Sequence, residues 1–103
     1  MLDIQCRLKS GGRNRLKMLN FPNQSRFFDP GRRAVRFWGH DSAMEWSFYV
    51  SADALLRIQP DVQRDEAGFL RAFDSNRKLI HAAAMKAYAR GRKGSYDLAE
   101  ADF

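Results

Sequence analysis

The chain has 103 residues, 45% of them apolar, and a net charge of +6, which suits a single compact domain. Its one cysteine excludes an intramolecular disulfide, and a reducing, cytoplasmic location is therefore expected. No apolar run approaches the roughly 20 residues of a membrane-spanning helix, and the first residues lack the pattern of a signal peptide.

The positive charge is concentrated before residue 18. Residues 1–17 carry five lysine or arginine residues against one aspartate, whereas residues 18–103 carry thirteen against eleven acidic residues. A basic segment with weak periodicity is typical of a disordered leader, and Met18 leaves open the alternative of a second start site. We therefore predict a leader over residues 1–17 and one α+β domain over residues 18–103.

Four segments have the alternation and turn boundaries of strands: 25–29, 33–39, 44–50 and 95–98. The second and third fit an antiparallel hairpin that turns over residues 40–43. If the turn centres between Asp41 and Ser42, one face of this hairpin is apolar. In that register Phe37 lies opposite Trp46 and Val35 opposite Phe48, with Met44 and Val50 on the same face.

The opposite face of the hairpin carries the candidate interaction residues Arg36, Trp38 and Tyr49. Aromatic side chains beside arginine on an open sheet face are how several domains stack single-stranded bases. The same residues also fit ordinary cross-strand pairs, or a face covered by the chain itself or by a second subunit. The nearly balanced charge of residues 18–103 favours coverage by protein.

Two helices are predicted after the hairpin. The first, over residues 52–59, begins after Ser51, a good N-cap, and ends before Pro60. A long helix over residues 64–90 follows from apolar residues at helical spacing, namely Phe69, Phe73, Ile80, Ala84, Ala87 and Tyr88. Strands followed by helices predict the α+β class, with a small antiparallel sheet covered on one face by both helices.

Candidate catalytic and metal-binding residues are few. Cys6 lies in the leader, His40 in the predicted turn, and His81 beside the apolar stripe of the long helix. No spaced histidine pair, cysteine cluster or nucleophile-elbow pattern accompanies them. The sequence therefore predicts no enzymatic activity, no metal and no cofactor, with His40 as a turn residue and His81 as a half-buried packing residue.

The segment Gly91-Arg92-Lys93-Gly94 has two interpretations. A G-x-x-G loop with basic middle residues binds the nucleic-acid backbone in KH domains, which makes Arg90, Arg92 and Lys93 a candidate basic loop. A glycine after the last turn also ends a helix, and cations near that end interact favourably with its dipole. The position between a helix and a predicted strand favours the helix cap.

Three segments resemble one known family: LNFPNQSRFFD, AVRFWGHDSAMEWSFYVSADAL and YARGRKGSYDLAEADF. In this order they are similar to the small bacterial family called domain of unknown function 1488, over residues 19–103. The resemblance implies a compact α+β domain in a bacterial cytoplasm, and no activity or functional residue comes with it.

These observations leave two hypotheses for function. The first is a non-enzymatic protein-interaction module whose partner is another protein or a second copy of the chain. The alternative is a nucleic-acid-binding accessory domain that uses the basic leader and the Arg90–Lys93 loop.

Overall fold

The structure, a computed structural model, describes residues 19–42, 44–91 and 94–103. The predicted leader over residues 1–17 lies outside this range. The described residues form a single sheet in the order β1-β2-β3-β4 together with three helices, which confirms the predicted α+β class. The elements are β1 (Phe27–Asp29), β2 (Ala34–Asp41), β3 (Met44–Ser51), α1 (Ala52–Ile58), α2 (Glu66–Ser75), α3 (Arg77–Arg90), β4 (Ser95–Leu98) and a 3₁₀ turn (Glu100–Asp102).

The sheet is mixed, and the prediction of a wholly antiparallel sheet was wrong for its last strand. β1 pairs with β2 and β2 with β3 in antiparallel fashion, but β4 runs parallel to β3, with Tyr96 beside Phe48. A parallel pair needs a crossover connection of a dozen or more residues. The three helices between β3 and β4 supply that crossover, because they return the chain to the end where β3 began.

The β2–β3 hairpin is shifted by two residues from the predicted register. Val35 lies opposite Val50, and Phe37 lies opposite Phe48 instead of Trp46. Side chains alternate between the faces of a strand, so a shift of two residues leaves each side chain on its predicted face. The predicted division of the hairpin into two faces therefore holds although the individual pairs differ.

The shift arises because the turn is centred one residue later than predicted, between residues 42 and 43. His40 and Asp41 continue β2 and lie opposite Glu45 and Met44, so two residues connect the strands. Ser42, the first of them, has a φ of 58°. A positive φ at that position is typical of the two-residue turns whose twist matches that of a hairpin.

The hydrophobic core lies between the sheet and the helices. The rings of Phe37 and Phe48 have centroids 5.5 Å apart, and Phe73 of α2 and Tyr96 of β4 pack against them at 5.1 Å and 4.8 Å. Burial of each large apolar side chain of this kind stabilises the fold by roughly 1.5–3 kcal/mol. Met44 belongs to the same strand face, yet it is 55% exposed at the end of the hairpin.

The predicted long helix is two helices, separated at Asn76. Asn76 has φ −123° and ψ 24° and ends α2, and its backbone N–H donates to the Phe73 carbonyl. Its side-chain amide donates to the carbonyl of Ala72 and to Gln59 Oε1. Asparagine forms such local bonds in competition with the helical ladder, so one residue interrupts an otherwise continuous apolar pattern. The helix also begins later than predicted, after the N-cap Asp65.

Asp41 is a buried charged residue at the end of the hairpin, where the sequence analysis predicts a turn residue. The Tyr88 hydroxyl of α3 donates a hydrogen bond to its carboxylate. The ring of Trp46 lies 6.1 Å from that of Tyr88, between centroids. The hydrogen bond from Tyr88 to Asp41 fixes the hairpin end to α3, since a buried carboxylate is strongly disfavoured without a hydrogen-bond donor.

Gly68 provides a test of the tight approach between α2 and the preceding segment. A Cβ at this position would lie 1.9 Å from the Gln63 carbonyl oxygen. We expect Gly68→Ala to lower the free energy of unfolding by about 2 kcal/mol, although alanine ordinarily favours a helix by roughly 0.5–1 kcal/mol. Denaturant titration measures the change. As a control, Gly31→Ala meets its first neighbour at 3.4 Å and should be close to neutral; equal stability of the two variants would contradict the clash.

Candidate functional site

The helices cover one face of the sheet, and the candidate site lies on the other, called here the outer face. Strand pairing places four side chains of this face in one row across the sheet: Phe27, Arg36, Tyr49 and Asp97. Trp38 lies in the next row, beside Ser47. The predicted interaction residues are thus on neighbouring strands of one surface.

Arg36 is the centre of this outer face. Its guanidinium carbon lies 5.1 Å from the centroid of the Trp38 ring and 5.7 Å from that of Tyr49. Nη2 donates a hydrogen bond of 2.9 Å to Ser47 Oγ. Nε is buried and has no hydrogen-bond partner within the described parts of the chain. The cation is therefore held in one position by two rings and a hydroxyl, with one donor unsatisfied.

Arg32 also belongs to the site, although the sequence analysis did not predict it. It lies in the turn before β2, where no alternation indicates a direction for the side chain. Its guanidinium carbon lies 4.1 Å above the Tyr49 ring, and Nη1 is 3.4 Å from Asp97 Oδ1. Under this cover Tyr49 is only 9% exposed.

Phe27 is the apolar part of the outer face. It lies beside Arg36 on the edge strand β1 and is 57% exposed, while Trp38 is half-buried. Arginine, tryptophan and tyrosine are enriched at the energetic centres of protein interfaces, and exposed large apolar side chains mark such surfaces. Chemically, the outer face can accept a carboxylate at its arginines and an apolar group beside them.

The candidate basic loop is described only in part, since Arg92 and Lys93 lie outside the described residues. Arg90 makes an ion pair of 3.3 Å with Asp102. Gly91 follows as the C-cap of α3, with φ 158° and ψ 160°, a conformation that glycine adopts most easily. The predicted helix cap is confirmed, although the glycine is more extended than the left-handed conformation of the usual cap.

The two histidines make different contacts. His40 is a strand residue, so its predicted place in a turn was wrong, and its Nε2 lies 2.9 Å from Glu45 Oε2. His81 is the half-buried packing residue that the sequence predicts. Its ring stacks on Phe21 with centroids 3.9 Å apart. The pKa of His81 lies below its ordinary value because burial disfavours the imidazolium, and the Arg77 charge adds to this effect.

Residues 19–42, 44–91 and 94–103 contain no ligand-sized pocket. They also contain no cluster of three histidine, cysteine, aspartate or glutamate side chains able to hold a metal ion. Among the described helices, none has the length and apolar character needed to cross a membrane.

Comparison with known proteins gives two matches. The model of a family described as "Protein of unknown function (DUF1488)" matches residues 19–99. Among solved structures, the crystal structure of a protein of unknown function from the DUF1488 family of Shewanella loihica PV-4 superposes with a TM-score of 0.70 at 18% sequence identity. That match covers 80% of this chain and 92% of the other, which is evidence for the same fold. No curated protein matches the chain.

The lowered pKa of half-buried His81 predicts a pH dependence of stability. Because the folded pKa is lowered, the unfolded chain takes up the proton at higher pH. The stabilisation is therefore present above about pH 6.5 and is lost as the pH falls towards the folded pKa. We expect the free energy of unfolding of the wild type to fall more steeply than that of His81→Phe between about pH 7.5 and 5.5. Denaturant titrations at several pH values measure both slopes, and identical slopes would exclude this role of His81.

Proposed function

The chain belongs to the DUF1488 family of proteins of unknown function, and from the outer face we propose that it is a non-enzymatic protein-interaction module whose partner is a second copy of itself. The outer face of one copy binds the outer face of the other. The observation that carries this proposal is the fixed position of Arg36 between Trp38 and Tyr49.

Preorganisation of Arg36 supports a role in binding. Ordering a long side chain at an interface costs roughly 0.5–1.5 kcal/mol. Here the two rings and Ser47 already restrain the guanidinium in the single chain, so little of that cost remains.

The arrangement of charge around Tyr49 supports a second copy as the partner. Arg36 lies on one side of Tyr49 in the row across the sheet, and Asp97 lies on the other. Neighbouring strands are about 4.8 Å apart, so the backbone positions of Arg36 and Asp97 are about equally spaced from that of Tyr49. When two outer faces meet about a two-fold axis through Tyr49, Arg36 of each copy faces Asp97 of the other. The surface is thus self-complementary in charge.

Base stacking receives less support from the same geometry. A stacking platform needs an accessible ring face, but Arg32 lies over the ring of Tyr49 and Arg36 over that of Trp38. Arg90 is paired with Asp102. The nucleic-acid hypothesis from the sequence therefore remains a prediction.

The proposal predicts a dimer that depends on Asp97. Asp97→Lys should weaken self-association, since it places a cation against Arg36 of the other copy. Loss of the exposed contact with Arg32 should cost the fold less than about 1 kcal/mol. Trp38→Ala should raise the dissociation constant about 30-fold, as for a central interface residue. Analytical ultracentrifugation over a concentration series measures both, with Asp61→Lys as a control of equal charge change at another exposed position.

Charge exchange makes the prediction specific. Arg36→Glu and Asp97→Lys should each be monomeric alone, because both symmetry-related contacts then join like charges. An equimolar mixture should dimerise, because one of the two ion pairs is kept in its native form and the other is restored with its charges reversed. Circular dichroism checks that each variant is folded before mixing. A wild-type chain that stays monomeric, or a mixture that does not associate, contradicts the proposal. Binding of single-stranded DNA that Trp38→Ala abolishes would replace it with the nucleic-acid alternative.

A further inference from the structure

The exposed side of α3 carries a second surface that the outer face does not explain. Lys78, Ala82, Met85 and Ala89 are all exposed and recur at intervals of four, three and four residues. Such spacing places them in one stripe along the helix, the pattern by which one helix packs against another. At 1.5 Å per residue the stripe is about 16 Å long. We call it the α3 stripe.

Apolar exposure distinguishes the α3 stripe from an ordinary solvated helix face. Met85 is 46% exposed, and Leu79, on the flank of the stripe, is 49% exposed. Ala82 and Ala89 present small side chains on either side of Met85, which permits close approach of another helix. Methionine is flexible and polarisable and is used often at surfaces that bind helical partners.

The charge of α3 indicates the chemistry of a partner. The helix sequence RKLIHAAAMKAYAR holds four basic residues and no acidic residue. Arg77 is balanced by Asp74 at 2.8 Å and Arg90 by Asp102 at 3.3 Å. Lys78 and Lys86 form no ion pair with any residue of the ranges 19–42, 44–91 and 94–103. The two unpaired cations flank the apolar part of the stripe.

Lys78 also lies at the unfavourable end of the helix. The N-terminus of a helix carries a partial positive charge, which favours acidic residues and opposes cations. The first turn of α3 contains no acidic residue. Asp74 lies four residues before Lys78, but its carboxylate accepts hydrogen bonds from Arg26 and Arg77. Lys78 is thus held where the fold itself gives its charge no compensation.

From these observations we propose that the α3 stripe binds an acidic amphipathic helix of another protein. Leu79 and Met85 contact its apolar residues, and Lys78 and Lys86 pair with its carboxylates. This is the helix-on-helix mode of peptide recognition, in which apolar anchors provide affinity and charges select the partner. α3 packs on the core side of the sheet through Ile80 and Ala84, so the stripe and the outer face lie on opposite sides of the domain and can be tested separately.

The test uses the full chain and a labelled synthetic peptide that repeats the heptad Glu-Leu-Ala-Ala-Leu-Glu-Ala. Fluorescence anisotropy measures its binding at low and at physiological salt. The double variant Lys78→Glu/Lys86→Glu should weaken binding at least about fivefold. The matched control Arg64→Glu/Arg71→Glu changes the charge equally on other exposed positions and should bind as the wild type does. Met85→Ala, which keeps a good helix former, should also weaken binding.

The proposal for the α3 stripe is supported or overturned by distinct outcomes. Retained peptide binding by Trp38→Ala, together with loss in Lys78→Glu/Lys86→Glu, supports the α3 stripe independently of the outer face. Absence of binding at low salt overturns the proposal. Equal binding of a peptide with lysine in place of glutamate, or equal weakening by both double variants, overturns it as well. Binding of anionic phosphatidylserine vesicles or duplex DNA that the same lysine variant abolishes, without peptide binding, assigns the stripe to another class of partner.

Discussion

The pairing of Phe37 with Phe48 is the constraint on which both faces of the sheet depend. Their rings hold β2 and β3 in one register at the centre of the core, and Phe73, Tyr96 and Phe21 pack around them. Because side chains alternate, this register also sets the pairs on the outer face. A hairpin that placed Phe37 elsewhere would separate Arg36 from Tyr49. The core and the proposed interface are therefore two consequences of one register.

The alternation of apolar and polar residues predicted the two faces of the hairpin correctly, whereas the residues of the turn did not predict its register. The apolar face containing Val35 and Phe48 follows from period two alone, and an error of two residues in register does not alter it. The turn itself depends on a positive φ at Ser42. A serine at this position does not predict that conformation, since glycine or asparagine is usual there. Asn76 was missed for a similar reason, because a polar residue on the wet side of a helical pattern gives no sign that its amide will bond locally.

Sequence patterns predicted only those site residues that share a strand or a hairpin. Arg36, Trp38 and Tyr49 follow from alternation within β2 and β3. Asp97 belongs to a strand that reaches the sheet after a crossover of three helices, and local pattern contains no information on where such a strand pairs or in which direction. Arg32 lies in a turn and has no face that a period assigns. Long-range topology, rather than chemistry, limited the prediction.

The distribution of charge corrects what the total charge suggests. Residues 18–103 are nearly balanced overall, and that balance argues against a strongly electrostatic partner. α3, however, holds four basic residues and no acidic one, so the rest of these residues carries nine basic against eleven acidic residues. α3 is therefore a cationic helix, whereas the remainder of residues 18–103 is weakly anionic. Local fields within a Debye length of about 8 Å govern contact with a partner, and at that range α3 presents a positive surface that the domain average conceals.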